Sequence, residues 1–400
     1  MSKAKILEGV FAIDKPKGIG SAQVVRDLQK AFGPTKLFAP WLAAEKASRD
    51  RVNANQRKRR RDKSLNVKIG HGGTLDPLAT GVLVIGVGKG TKQLQQFLAC
   101  TKSYEAVLLF GVATDSYDVQ GKVLSRAPFT HVTREGVEKA LDGFRGQIMQ
   151  RPPIFSARRI QGKRLYEYAR EGMELPQEIR ESEVNVESLE VVDWLEPGTH
   201  EYAWPKEEAE KEDKETAHSL LKIDITSDEL AQTKDGSPSV ELKRKRNSEP
   251  EEEDLVHDAE PVSKQQKTKA TSEALMSGGL QSSEIKEDPS AVSDADAAKH
   301  GQQNPISSTF SASPPAVRLR MTVTSGFYVR SLCHELGKAL GSLGIMAELV
   351  RTRQGDFELR KNTLAYEVLE KGEEVFGPDV KAFLETWQKR ATYTSGDETS

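Results

Sequence analysis

The sequence predicts an α+β fold in which one catalytic domain is split by two inserts. Three observations carry that reading. Short strand-like runs, some alternating and some wholly apolar, are interleaved with short helical patterns in two stretches of the chain. Only 36% of the 400 residues are apolar and 30% are charged, which is low in apolar content for a fully folded chain, so part of it is expected to be disordered. The formal net charge of -2 hides a segregation, with a basic block early and an acidic block late.

The elements follow in order. Gly9 to Ile13 reads as a strand, and Asp14 to Gly18 has turn chemistry. Ser21 is the expected N-cap of a helix in which Val24, Val25 and Leu28 recur at helical spacing. Residues 8–32 thus start the catalytic domain. Residues 33–67 form a basic insert that breaks the order and holds the run Arg57-Lys58-Arg59-Arg60-Arg61-Asp62-Lys63. Residues 68–204 resume the domain. Val82 to Gly88 is an apolar run that reads as a buried strand, and Tyr104 to Phe110 reads as another. Thr133 is placed to cap a helix with Val137, Leu141 and Phe144 on one face, and Leu165 to Ala169 suggests a short helix. Val184 to Leu189 alternates like a strand with one face covered.

From 205 to 315 the composition shifts to Glu, Lys, Ser, Asp and Pro, and aromatics nearly vanish. Such a segment buries too little apolar surface to offset chain entropy, so it is expected to be an acidic disordered insert. Leu220 to Ile225 is a strand-like island within it. Residues 316–390 close the domain, with an alternating strand at Val317 to Val323 and a helix carrying Leu332, Leu336 and Leu340. Residues 391–400 read as a disordered tail, and no internal repeat is visible.

The two cysteines, Cys100 and Cys333, exclude a disulfide framework and a cysteine-rich metal cluster, and they suggest a reducing compartment. No run is long and apolar enough to span a bilayer. Met1 to Val10 lacks a secretory apolar region.

The most informative stretch for chemistry runs from Gly70 to Leu83, where a single carboxylate, Asp76, stands among glycines, a proline and small residues. Glycines allow close approach of another molecule, and Pro77 biases Asp76 toward an extended conformation. An aspartate so held can be a nucleophile, a general base, a metal ligand or a structural cap. No HxxH, CxxC or DxD arrangement accompanies it, and His71 stands alone as a possible co-ligand. Gly86-Val87-Gly88-Lys89-Gly90-Thr91-Lys92 fails both the P-loop and the dinucleotide spacings, so it reads as glycines ending a strand. Arg330 lies where a strand gives way to a helix, a place for an anion or a buried carboxylate, or else simply surface. Tyr104 opens a strand, either as a core tyrosine or as a ring that stacks on a base.

These residues carry a resemblance. The stretch Gly70 to Leu83 resembles the signature of the TruB family of tRNA pseudouridine synthases. So do Phe11 to Gly18, Lys102 to Ala106, Gln161 to Arg170, Gly326 to Arg330 and Leu349 to Phe357, all in the family's order. The blocks lie in residues 9–32, 68–195 and 317–360, and the two inserts most resemble those of eukaryotic, fungal-type members. The resemblance implies the pseudouridine synthase fold, a mixed, mainly antiparallel central sheet flanked by helices and loops.

It also implies an isomerase that converts the T-loop uridine of tRNA, conventionally position 55, to pseudouridine without cofactor or metal. Asp76 would be the catalytic carboxylate, either attacking C1′ or taking the 2′ proton. Arg330 would pair with it and hold it ionised, and Tyr104 would stack on the flipped base. Leu349 would line the uracil pocket, and His71 would help displace the T-loop. Gly73 and Tyr328 complete the expected substrate contacts, with Lys15, Lys163 and Arg164 meeting phosphates or remaining solvated surface charge. The expected partner is the tRNA T-arm, extended to mRNA of T-loop-like structure, with no membrane and a monomeric state. Nucleus is the expected location, with mitochondrion and cytoplasm as further sites.

The sequence departs from the bacterial pattern at Gly72, where threonine is frequent, and at Arg158 and Arg159, which replace a Leu-Lys pair. The extra C-terminal RNA-binding domain of many relatives is not expected here. The basic run at 57–63 would add phosphate contacts or serve nuclear import, and Lys243-Arg244-Lys245-Arg246 reads as an import signal. Three rivals stand beside the enzyme: an RNA-binding protein that kept the fold without activity, a guide-RNA-dependent relative, and a nucleotide-binding enzyme built on Gly86 to Gly90.

Overall fold

The apolar runs of the sequence become the middle strands of a ten-stranded mixed sheet in the structure, a computed structural model that describes residues 5–51, 65–211, 214 and 313–394. The chain enters on β1 (Gly9–Lys15), passes through α1 (Ser21–Phe32) and α2 (Ala39–Asp50), and returns on β2 (Ile69–His71) and β3 (Thr80–Val87). A 3-10 turn (Gly88–Gln93) and α3 (Leu94–Ala99) lead to β4 (Lys102–Phe110). Two short strands follow, β5 (Val112–Thr114) and β6 (Val123–Arg126), then α4 (Arg134–Leu141) and β7 (Gly146–Gln150). A hairpin of β8 (Arg159–Ile160) and β9 (Lys163–Arg164) precedes α5 (Leu165–Arg170) and the long β10 (Ser182–Leu195). Then come β11 (Ala316–Val323), α6 (Val329–Ala339) and β12 (Gly344–Gln354). The last elements are β13 (Phe357–Glu358), β14 (Thr363–Ala365) and α7 (Glu373–Thr394).

The sheet runs β14-β1-β3-β12-β4-β11-β10-β7, with β2 beside β3 and β13 beside β12. Pairing is parallel only between β1 and β14 and between β3 and β12, so the sheet is mixed and mainly antiparallel, as expected. The period-2 alternation of each strand sends its side chains to two cores. Phe11, Ile13, Leu83, Ile85, Tyr104 and Leu108 join the larger one with Leu28 of α1 and Leu332 and Leu336 of α6. Val10, Ala12, Val82 and Val84 face the other way, onto Leu94 and Phe97 around α3. Strands buried on both faces must read as continuous apolar runs, which is why residues 82–87 were legible.

Several local readings change. Gly20, not Ser21, is the N-cap of α1; Ser21 is the first helical residue and its hydroxyl bonds elsewhere. Thr133 does cap α4, accepting from the Gly136 N–H at 3.1 Å. The Gly86 to Gly90 motif serves packing, since a Cβ on Gly90 would lie 1.9 Å from the Gly9 carbonyl oxygen. The basic insert is not orderless throughout: α2 falls within residues 33–67. Phe38 before it is fully buried, stacked on Phe32 at 4.5 Å, and Trp41 donates to Glu8 Oε1 at 3.0 Å. Backbone pairing also extends past 205, where the Val123 N–H donates to the Glu207 carbonyl at 2.8 Å and the Ala209 N–H donates to the Val123 carbonyl at 2.9 Å. α7 runs past 390 to Thr394. The basic run at 57–63, the island at 220–225, the run at 243–246 and the rest of the acidic insert lie outside the described residues. Among the described residues no helix is long and apolar enough to cross a membrane.

Phe38→Ala is expected to cost about 3–5 kcal/mol in urea unfolding, the usual loss for a buried aromatic. A change under about 1 kcal/mol would detach residues 33–50 from the folded body.

Candidate active site

The loop between β2 and β3 carries Asp76, and it has almost no regular backbone pairing of its own. Its polar groups are met instead by side chains from distant parts of the chain. Ser21 of α1 bonds both backbone groups of Leu75, the N–H at 2.8 Å and the carbonyl at 3.1 Å. The Pro77 carbonyl accepts from the Gly18 N–H at 2.8 Å and lies 3.4 Å from Lys15 Nζ. On the other side, Gln354 Nε2 donates to the Gly72 carbonyl at 2.5 Å and the Phe97 carbonyl at 2.9 Å. Arg351, 2% exposed, donates from Nε to the Val82 carbonyl at 2.7 Å and reaches the Gly73 carbonyl at 3.5 Å.

Two glycines let the chain take this path. Gly73 sits at φ 134° and Gly81 at φ 97°, where side-chain-bearing residues are strained. At Gly81 a Cβ would also lie 2.3 Å from the Arg351 carbonyl oxygen, so β3 and β12 could not close. Gly72, the departure from the bacterial threonine, packs against α3: a Cβ there would lie 3.0 Å from Phe97 Cβ.

Asp76 meets Arg330 in the centre of the site. Arg330 Nε lies 3.0 Å from Asp76 Oδ2, with the arginine side chain 7% exposed and the aspartate 36%. The rest of the guanidinium is bound to the Ser116 carbonyl at 2.9 Å and the Phe155 carbonyl at 2.8 Å. A second carboxylate, Asp118, stands 3.9 Å away and is itself buried. Burial pushes the Asp118 carboxyl upward, opposed by Arg330, the Ser116 hydroxyl and the Gln120 N–H. Arg330 therefore faces inward on three sides and offers one edge to a half-exposed carboxylate. That carboxylate has solvent on its other side and can meet a reacting atom there.

The other expected residues lie on the sheet and at its ends. β4 and β12 pair Tyr104 with Arg351 and Ala106 with Leu349, so Tyr104 and Leu349 lie on neighbouring strands in one apolar cluster. Tyr104 is 9% exposed and Leu349 6%, which makes them a wall rather than a free surface. Tyr328 is the N-cap residue of α6, two positions before Arg330. His71, at the end of β2, is half-buried; burial pushes its imidazole pKa down and Arg351 adds to that, against a backbone hydrogen bond at Gly73, so the neutral ring is favoured.

Lys15 is a correction. It is fully buried, and its Nζ donates to the Pro16 carbonyl at 2.8 Å and the Ile19 carbonyl at 2.6 Å, besides its approach to Pro77. Burial lowers its pKa to about 8, against the attraction of Asp76. It ties the turn after β1 to the Asp76 loop and cannot reach a phosphate. Lys163 and Arg164 are exposed enough to meet one but already have partners. Lys163 bonds Glu171 at 2.5 Å, and Arg164 bonds the Tyr166 hydroxyl at 2.5 Å. Arg351, Gln354, Asp118 and Gln150 escaped the sequence reading. The first two lay inside a motif block with no role attached, and the other two carry no local pattern at all.

The chain matches the TruB family pseudouridylate synthase N-terminal domain over residues 59–205. It is 39% identical over 356 residues to tRNA pseudouridine synthase 4 of Schizosaccharomyces pombe, covering 88% of this chain and 79% of that one. Identity to tRNA pseudouridine synthase 4 of Saccharomyces cerevisiae is 34% over 365 residues, covering 90% and 79%. Identity to tRNA pseudouridine synthase B of Lactobacillus acidophilus is 39% over 183 residues, covering 45% and 50%.

Lys15→Met is expected to destabilise the fold by about 2–4 kcal/mol, because it leaves buried carbonyls unmet. The same variant should leave the salt dependence of RNA binding unchanged. A slope of log affinity against log salt reduced by about 1 would return Lys15 to the phosphate contacts.

Proposed function

The chain belongs to the TruB family of pseudouridylate synthases, and from that premise we propose that it isomerises the T-loop uridine at position 55 of tRNA, with Asp76 as the catalytic carboxylate. It is a pseudouridine synthase, an isomerase acting on tRNA. The observation that carries the finer reading is the contact of Asp76 with Arg330, in which a buried cation supports a carboxylate that still meets solvent.

The reaction rearranges one nucleotide. The N1–C1′ bond breaks, the uracil turns, C5 bonds to C1′, and the proton on C5 leaves. Nothing is oxidised or hydrolysed. Asp76 acts either on C1′ as a nucleophile or on the 2′ proton as a base, and both roles need the carboxylate ionised. Arg330 sets a buried positive charge beside the carboxylate, with its Nε 3.0 Å from Asp76 Oδ2.

A uridine stacked within its loop must leave the stack to reach Asp76. Extrusion costs on the order of a few kcal/mol, offset by contacts with the extruded base. Tyr104 and Leu349 supply an apolar wall for the uracil, and Tyr328, two positions before Arg330, is a further contact for the nucleotide. His71 is suited to the space the nucleotide leaves. A neutral ring there can pack against bases without carrying a buried charge. The glycines of the loop keep its backbone low, so a nucleotide can come close to Asp76.

Asp76→Asn tests the assignment. Pseudouridine formation on a T-arm RNA is expected to fall to background, with the dissociation constant for tRNA within about threefold of the wild type, since the amide keeps the shape but not the nucleophile or base. A variant that still modified the RNA at the normal rate would remove Asp76 from the chemistry.

A further inference from the structure

Asp76 and Arg330 come from elements far apart in the chain, and neither sets its own position. Each follows closely on a backbone residue gripped at two points by a buried neutral side chain. Ser21 is 2% exposed; its Oγ accepts from the Leu75 N–H at 2.8 Å and donates to the Leu75 carbonyl at 3.1 Å. Leu75 immediately precedes Asp76. Gln150 is 1% exposed; its Oε1 accepts from the Tyr328 N–H at 2.8 Å, and its Nε2 donates to the Tyr328 carbonyl at 3.1 Å. Tyr328 precedes Arg330 by two positions. Next to Gln150, the Arg151 carbonyl accepts from the Ser331 hydroxyl at 2.7 Å, on the far side of Arg330.

We propose that Ser21 and Gln150 are positioning residues that set the separation and angle of the Asp76–Arg330 pair. The proposal rests on the assignment of that pair as the reacting centre. Two bonds to one residue restrain its backbone in translation and in rotation, where a single bond leaves it free to swing. Helix capping does not account for either residue. α1 has no side-chain cap bond, and Ser21 spends both of its bonds on another segment. Gln150 lies at the end of a strand, 178 positions from the residue it holds. Both side chains are uncharged and touch neither Asp76 nor Arg330 in any hydrogen bond of the described residues, so their effect on the reaction passes through geometry. Burying a polar side chain is tolerated when its bonds are all made, and here the two grips satisfy donor and acceptor together.

Ser21→Ala and Gln150→Met remove the grips while keeping most of the volume, and Ser21→Thr retains the hydroxyl. Single-turnover pseudouridine formation on T-arm RNA would be measured for each, well below its melting midpoint, beside RNA affinity and amide hydrogen exchange. The expected result is a rate constant lower by about 10- to 100-fold for Ser21→Ala and Gln150→Met, with RNA affinity within about threefold. Ser21→Thr should recover most of the rate. Exchange of the Leu75 amide should quicken in Ser21→Ala, and that of the Tyr328 amide in Gln150→Met. Unchanged exchange at those two amides overturns the positioning role whatever the activity. So does an unchanged rate constant in the folded variants, or a rate loss that Ser21→Thr shares in full. A wild-type protein that makes no pseudouridine would instead overturn the assigned reaction, and the amide exchange would still decide the grips.

Discussion

Arg330 is a permanent cation held at 7% exposure, and most of what surrounds it exists to make that tolerable. A buried guanidinium needs every donor met and a carboxylate close by, or the desolvation cost is not recovered. Two carbonyls, from Ser116 and Phe155, take up its inward edges, and Asp76 takes the outward one. Three loops from different parts of the chain are thereby tied at one side chain. The same contact that completes the fold at this point leaves a carboxylate with one side in solvent. Structure and chemistry cannot be separated here. Removing Asp76 would leave Asp118, 3.9 Å away, as the carboxylate facing Arg330 among the described residues.

The central sheet explains how such distant loops arrive together. β3, β12 and β4 are adjacent, and their register brings Thr80 beside Val350 and Tyr104 beside Arg351. Arg351 and Gln354, buried at the end of β12, then reach across to the Asp76 loop from the sheet side, while Ser21 and Lys15 reach it from the β1–α1 side. The chain leaves the described residues after β10 and returns before β11, where Ala316 pairs with Leu109; Tyr104 pairs with Met321, five residues further along β11.

Much of this was legible in the sequence. Strands buried on both faces read as apolar runs, and the glycine-flanked Asp76 was conspicuous because few other settings need glycines at positive φ beside a carboxylate. Arg330 was placed at a helix start by pattern, and its pairing with Asp76 came from the family resemblance. What failed did so for a common reason. Side-chain direction is a tertiary property, and composition predicts surface for lysine. Lys15 therefore read as a phosphate contact, although three carbonyls draw its ammonium inward. Ser21 read as a cap because serine before a helical pattern usually is one. Its bonds go to a loop 54 positions away, which no local window contains. Gln150 and Asp118 show no pattern, since a single buried polar residue has no period.

The central claim is that this pair of residues acts on one uridine of the tRNA T-loop. Mapping pseudouridine at single-nucleotide resolution in tRNA from cells lacking the protein, and from the same cells supplied with the Asp76→Asn form, tests it most directly. The account predicts that T-loop pseudouridine is lost in both and that other tRNA positions keep theirs. Retention of the T-loop modification in either would contradict it.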